Sequence, residues 1–429
     1  MCGVYLVAIF VRIFIMSVAS GLTYFEQHFL FSNKLFQYTM GLRPYQNSRD
    51  LLFQVCIITI YLFPGVAHQF YQLAISEVPL ARTIKVLQYM FAAICFLYTY
   101  SNYYFKYVQM KAIISCIKFD YEHISNQYEF YITEKYIKEI IFNLYFLATI
   151  TPCFLSIFSY QFGTLGNVNL SLPIPIDNVL NLGPIYYSLL IYQTTEIYIS
   201  ISIAIICFST YLVLINHACC QLSVIRLIIG HPFREPQKFN QIWNEFNWIV
   251  DVIKRHERIM KYVDFLNSST KGIYLIEIFF IMLFIILDFL YVSFLYVIIF
   301  YDKWAISPHY VLQLEQIKRL DSGDLIYFLA INIFQVSSLR ENITQIIECS
   351  FYIACSIFVT FINFYIGQTL INHSEEAREE LCKIPFYILS IRVQKLLLFM
   401  ILRWSKPCML SIGGMSVMSH QAFSGVSGG

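Results

Sequence analysis

Three carboxylates sit inside long apolar runs: Glu196, Glu277 and Asp288. A charge at the centre of a bilayer costs about 2.5 kcal/mol or more, so such a residue needs a reason to be there. Glu196 and Asp288 either line a ligand cavity or water-filled path, or make a helix–helix hydrogen bond that fixes packing; both readings stay open. Around them lies a set of bulky side chains: Tyr89, Met90, Phe154, Phe158, Tyr187, Tyr192, Phe351 and Tyr352. With Glu196 they make the candidate ligand-binding set. Convergent aromatics with a few polar groups suit a pocket for a small organic molecule. With 39 Phe and 33 Tyr in the chain, any one of them also suits lipid contact or interior packing.

Other chemistry is thinly represented. His217, Cys219 and Cys220 cluster at the end of an apolar run, but the twelve cysteines form no CxxC pair with metal spacing. A structural role suits the cluster better than a metal site. There is no Walker loop, GxSxG or HExxH, and Gly163 to Gly166 has turn spacing without a phosphate-binding context. The expectation is a protein that is not an enzyme, with no cofactor and no catalytic residues. The net charge of +2 gives no sign of a nucleic-acid partner.

The elements that must position these residues follow from composition. Hydrophobic residues make up 58% and charged ones 13% of the chain, so too few charges remain to coat a water-facing surface; soluble domains carry about 25% charged residues. Lipid is the solvent for much of it. Six stretches reach the roughly 20 apolar residues that span a bilayer: Leu51–Gln72, Ile84–Phe105, Ile140–Phe162, Ile185–Asn216, Ile273–Tyr301 and Ile346–Ile371. Unpaired backbone amides are intolerable in hydrocarbon, and no period-2 alternation is present, so these are helices. A seventh candidate, Lys395–Leu402, is short and is followed by Arg403 and Lys406. The expected fold is all-α and polytopic, with six strong spans and a weak or truncated seventh. The first twenty residues are apolar but lack a basic start, so they read poorly as a cleaved signal.

Most of the 29 basic residues fall in the N-terminal segment and the even-numbered loops, and none lies between spans three and four. The positive-inside rule therefore makes the N-terminus cytoplasmic, opposite to a G-protein-coupled receptor. On that orientation the sequons at Asn169 and Asn342 are outside and open to glycosylation, and the one at Asn267 is inside and silent. The expected organisation is a cytoplasmic segment 1–50, spans one to four in 51–216, a cytoplasmic helical connection 217–272, spans five and six in 273–371 with an outer loop 302–345, and a cytoplasmic connection, partial seventh helix and tail in 372–429. The 4–5 connection reads as helical extensions of both spans, joined near His231 and Pro232.

Several blocks resemble the insect odorant receptor family. Tyr24, Phe25 and Glu26 precede the turn Gly41, Leu42, Arg43, Pro44, Tyr45, Gln46; His256, Ile259, Tyr262 and Leu266 follow in the 4–5 connection. The end matches best: Gly367, Gln368, Ile371, Asn372, His373, Ser374, then Ile384 to Tyr387, Gln394 to Leu397, Arg403 to Pro407, and Gly413 with Gly414. The resemblance implies a subunit of a ligand-gated cation channel in the plasma membrane of a sensory dendrite. It would form a hetero-tetramer with the odorant co-receptor, take a volatile small molecule into a pocket among spans two, three, four and six, and make its subunit contacts through the cytoplasmic ends of spans four to seven. Membrane lipid is its other partner. A gustatory receptor of the same superfamily and a small-molecule transporter are the competing readings. Polar breaks in mid-membrane helices, which a transporter needs, are few.

Three features depart from the family: residues 1–20, the inserted-looking stretch Asp302–Asp324, and the tail. The family continues past the paired glycines with an apolar pore-lining helix. Met415–Gly429 is instead Ser- and Gly-rich, with poor helix propensity, so the expectation is a chain cut short or misjoined there that lines no pore. Orientation is directly testable. An epitope tag at the N-terminus should stain only in permeabilised cells, and staining of intact cells would overturn the inverted topology.

Overall fold

The computed structural model describes residues 48–75, 80–124, 128–138, 184–234, 245–317 and 322–427. The described chain is helical almost throughout. In order come α1 (Ser48–Ile75), α2 (Leu80–Phe105), α3 (Tyr107–Glu122), α4 (described over 128–138), α5 (Pro184–Arg234), α6 (Glu245–Ile317) and α7 (Ser322–Cys382). A 3-10 turn at Phe386–Ile388 leads to α8 (Ile391–Arg403), a hairpin of β1 (Ser411–Ile412) and β2 (Ser416–Val417), and α9 (His420–Ser427). Among the described residues three helices are long and apolar enough to cross a membrane: Thr210–Gly230, Glu245–Val297 and Ile353–Cys382; a shorter apolar helix is Val55–Tyr71.

The outward faces carry the mark of lipid. α1 buries Leu62, Val66 and Gln69 at helical spacing and exposes Phe53, Ile57, Ile60 and Phe63. α6 likewise exposes Phe279, Phe289, Leu290 and Tyr296. Rows of exposed aromatics this long are stable only where the solvent is itself apolar.

The densest packing lies around α3, the C-terminal part of α5, the N-terminal part of α6 and the C-terminal part of α7. Ile113 and Ile117 of α3, Ala218, Leu222 and Ile229 of α5, Ile249 and Val252 of α6, and Ala377 and Leu381 of α7 are essentially inaccessible. α8 is amphipathic: Val393, Leu397 and Met400 face this core, while Leu398, Phe399 and Leu402 are exposed. At thirteen residues it spans roughly 20 Å, short of the roughly 30 Å of hydrocarbon.

Charges inside this core are paired. The Asp120 carboxylate takes His217 Nε2 at 3.1 Å on one oxygen and Arg258 Nη1 at 3.0 Å on the other, tying α3 to α5 and α6. Burial pushes its pKa up, but the hydrogen bonds and charges of His217 and Arg258 outweigh that and hold it below the usual carboxylate range. His217 thus serves as a bridge, and among the described residues no group of three metal-ligating side chains occurs.

Residues 302–345, expected as an outer loop, carry helix: α6 runs through to Ile317 and α7 begins at Ser322. Polarity alone does not end a helix, since most polar residues cost it only tenths of a kcal/mol. α5 continues through Pro232 to Arg234, beside the expected join near His231 and Pro232.

The tail is ordered rather than loose. Gly413 and Gly414 both have positive φ, 61° and 78°, as the tight turn between two short strands requires. Met415 N donates to Ile412 O at 3.0 Å, closing it. The hairpin is latched to α6: Ser411 N and Oγ donate to Asn267 Oδ1 at 2.8 and 2.9 Å, and Gly413 N donates to Lys271 O at 2.9 Å. Gly367 of α7 leaves room for Met418, whose carbonyl a Cβ there would overlap. His420–Ser427 is helical despite its Ser and Gly content, because Gln368 Oε1 accepts from His420 N at 3.1 Å and Phe423 packs on Phe364. Tertiary contacts override weak propensity here.

Trp404 closes this region, fully buried with its ring 4.1 Å from that of His256. Burial, helped by the Arg403 charge, pushes the His256 pKa down from 6.5 to about 4. A folded pKa below the unfolded one means that the unfolded chain binds the proton first. Stability is therefore whole above the unfolded value and falls as pH drops through the window from 6.5 toward 4. The loss from this residue should reach about 2 kcal/mol by pH 5. Thermal melting between pH 7 and 5 should show a shallower decline in His256→Gln than in the parent protein; equal slopes would remove His256 as the source.

Candidate ligand cavity

One face of α2 carries small and polar residues at helical spacing: Gln88, Ala92, Cys95 and Thr99. α7 carries Cys349, Ser356 and Asn363 seven residues apart, and α6 carries Tyr274, Glu277, Ile281 and Phe284. Small residues where helices face one another leave space, and these stripes face a common cavity of about 490 Å³. Gln69 of α1 and Glu196, Ser200, Phe208 and Tyr211 of α5 complete the wall, with Tyr89, Phe96 and Phe280 among the aromatics. From Gln88 to Thr99 the lining of α2 extends roughly 16 Å along the helix, so the space is elongated. Its volume lies in the range of about 300–1,000 Å³ that holds small organic molecules.

The two ends of the cavity are polar in different ways. At one end Gln88 Nε2 donates to Asp288 Oδ1 at 2.7 Å, a buried bond tying α2 to α6. Near it Glu196 lies against Gly65 of α1, where a Cβ would overlap its carboxylate. Glu196 is 6% and Gln69 2% exposed; Glu196 Oε2 and Gln69 Oε1 have no hydrogen-bond partner among the described residues. At the other end the rings of Tyr211 and Tyr274 pack at 5.7 Å. One turn along α6, Glu277 Oε1 accepts a long bond of 3.4 Å from Asn363 Nδ2.

The expected site residues divide accordingly. Tyr89 and Glu196 line the cavity. Met90 is buried but is not part of the wall. Tyr192 is half-buried beside the cavity: its hydroxyl donates to Tyr61 O at 2.8 Å and its ring packs on that of Tyr61 at 5.4 Å, so it joins α5 to α1. Asp288 is fully buried, is not part of the wall, and bonds the lining residue Gln88. Phe154, Phe158 and Asn169 lie outside the described residues. Tyr187 belongs to α5, and Asn342, Phe351 and Tyr352 to α7, but their side chains lie outside the described set. Gln88, Glu277 and Asn363 were missed as lining residues. The polar stripes on α2 and α7 were the signal that could have found them.

The Gly65–Glu196 contact makes a clean double-mutant test. Gly65→Ala should destabilise the protein by about 1–3 kcal/mol through overpacking, seen as a lower melting temperature. Most of that loss should vanish when Gly65→Ala is made on a Glu196→Ala background. Additive losses would show that the two do not touch.

The comparisons with known proteins agree with this architecture. None of the curated proteins matches the chain. The structure of the insect olfactory receptor OR5 from Machilis hrabei in complex with eugenol is similar, with a TM-score of 0.60 at 11% identity, covering 93% of this chain and 96% of that one. The structure of OR5 from Machilis hrabei described without eugenol gives a TM-score of 0.57 at 12% identity, covering 89% and 87%. The sequence model described as 7tm Odorant receptor matches residues 80–302 and 322–427, well over half of the chain. The chain is a membrane receptor of the 7tm odorant receptor family.

Proposed function

We propose that this protein is an odorant-receptor subunit that binds a small volatile molecule in the cavity among α1, α2, α5, α6 and α7, and gates a cation channel in a hetero-tetramer with the odorant co-receptor. The cavity carries the reading. It is elongated, walled mainly by aromatic and aliphatic side chains, and has only a few polar groups to orient a guest. A fold shared with a receptor whose structure contains eugenol supports a guest of that size. The six apolar stretches span the plasma membrane with the N-terminus inside, as the basic residues require. The cytoplasmic ends of α5 to α8, where core packing is densest, make the subunit contacts.

The route from binding to gating runs along α7. Cys349, Ser356 and Asn363 touch the cavity. Phe364 follows at once and packs on Phe423 of the tail, and Gly367 takes Met418. A guest that fits better when α7 moves outward favours the population in which the tail moves with it; no shift occurs without that differential affinity.

Filling the cavity tests the reading. Ala93→Phe places a ring in the cavity and should raise the half-maximal odorant concentration at least tenfold while surface expression persists. The measurement is odorant-evoked current in cells expressing the chain with the co-receptor, using an odorant that the co-receptor alone does not sense. An unchanged dose-response curve would remove this cavity from the reading.

A further inference from the structure

The chemistry of the Glu196 end narrows the class of guest. Glu196 and Gln69 both line the cavity, and each has a buried oxygen without a hydrogen-bond partner among the described residues. Gln69 comes from α1 and Glu196 from α5, so the two acceptors are independent products of the fold. The amide nitrogen of Gln88, a nearby donor, is committed to Asp288. Among the described lining residues there is no Lys, Arg or His. The stretch 139–183 has no Lys, Arg or His in its sequence either. Among the described residues the wall thus carries two carboxylates, Glu196 and Glu277, and no protein cation to balance them.

We propose that the cavity selects an apolar primary amine, with its ammonium group held at Glu196 and Gln69. An ammonium has three N–H donors and a positive charge, and can satisfy both oxygens at once. In a water-poor site that pairing is far stronger than at a surface, and leaving the carboxylate alone is correspondingly unfavourable. The remaining wall, with Tyr89, Phe96 and Phe280, takes the hydrocarbon part and offers ring faces that favour a nearby cation. Gly65 matters to this arrangement because only a residue without a side chain leaves the carboxylate its place.

This inference rests on the cavity being the ligand site, and the experiment separates the two. The full chain, purified into lipid nanodiscs at pH 7, is titrated with 2-phenylethylamine, 2-phenylethanol and ethylbenzene, three compounds of nearly equal size. The amine should bind at least tenfold tighter than the alcohol or the hydrocarbon. Glu196→Gln should erase that preference by weakening amine binding at least tenfold. If the alcohol or ethylbenzene binds the parent protein as tightly as the amine, the cavity stands as a ligand site and the amine assignment falls; a neutral, hydrogen-bearing Glu196 would give that result. A preference that survives in Glu196→Gln also overturns the assignment. If none of the three binds, the cavity reading falls and takes this inference with it. Should Glu196→Gln fail to fold, the comparison of the three compounds on the parent protein decides alone.

Discussion

An unpaired polar group in an apolar medium is the cost around which this molecule is arranged. Hydrocarbon offers backbone amides no partners, so the chain within it is helical. The same rule governs side chains. Asp288 is tolerated because Gln88 reaches it, and Asp120 because His217 and Arg258 do. Tyr192 and Tyr262 each send their hydroxyl to a backbone carbonyl, of Tyr61 and Leu214 respectively. Glu196 and Gln69, each with a buried oxygen that no described residue bonds, line the cavity.

Packing follows a second, related logic. In water a protein gains most by burying apolar surface, and in lipid that gain disappears because tails are as apolar as leucine. The faces of α1 and α6 that meet lipid therefore expose Phe and Ile freely, and a space of about 490 Å³ persists among the helices. By contrast, the core around Trp404, Leu222 and Leu381 closes tightly. The helices are thus loosely packed around the cavity and tightly packed around that core. α7 belongs to both, from Cys349 in the cavity wall to Leu381 in the core.

The closing block of the chain shows how motif residues acquire their roles. Gly367, Gln368 and Ser374 on α7, with Gly413 and Gly414 beyond α8, resemble a family signature by order alone. In three dimensions each has a mechanical task. Gly367 admits Met418, Gln368 caps α9, and Ser374 Oγ accepts from Cys408 N at 3.0 Å. The paired glycines turn the hairpin, and Gly413 sits where a Cβ would come within 2.8 Å of Leu275. Asn267, which on sequence looked like a silent sequon, is the acceptor that anchors Ser411.

What the sequence determined by itself was the solvent, the helical class and the family. Those depend on composition, on run length and on motif order, which are properties of the chain as a line. It also marked Glu196 and Asp288 as residues needing an explanation, but it could not divide them. Only the tertiary structure did, because the difference lies in neighbours from distant helices: Gln88 stands against Asp288, whereas Gly65 and open space stand against Glu196. The helical state of His420–Ser427 was illegible for the same reason. Its local propensity is weak, and the contacts that decide it, from Gln368 and Phe364, are made across the fold.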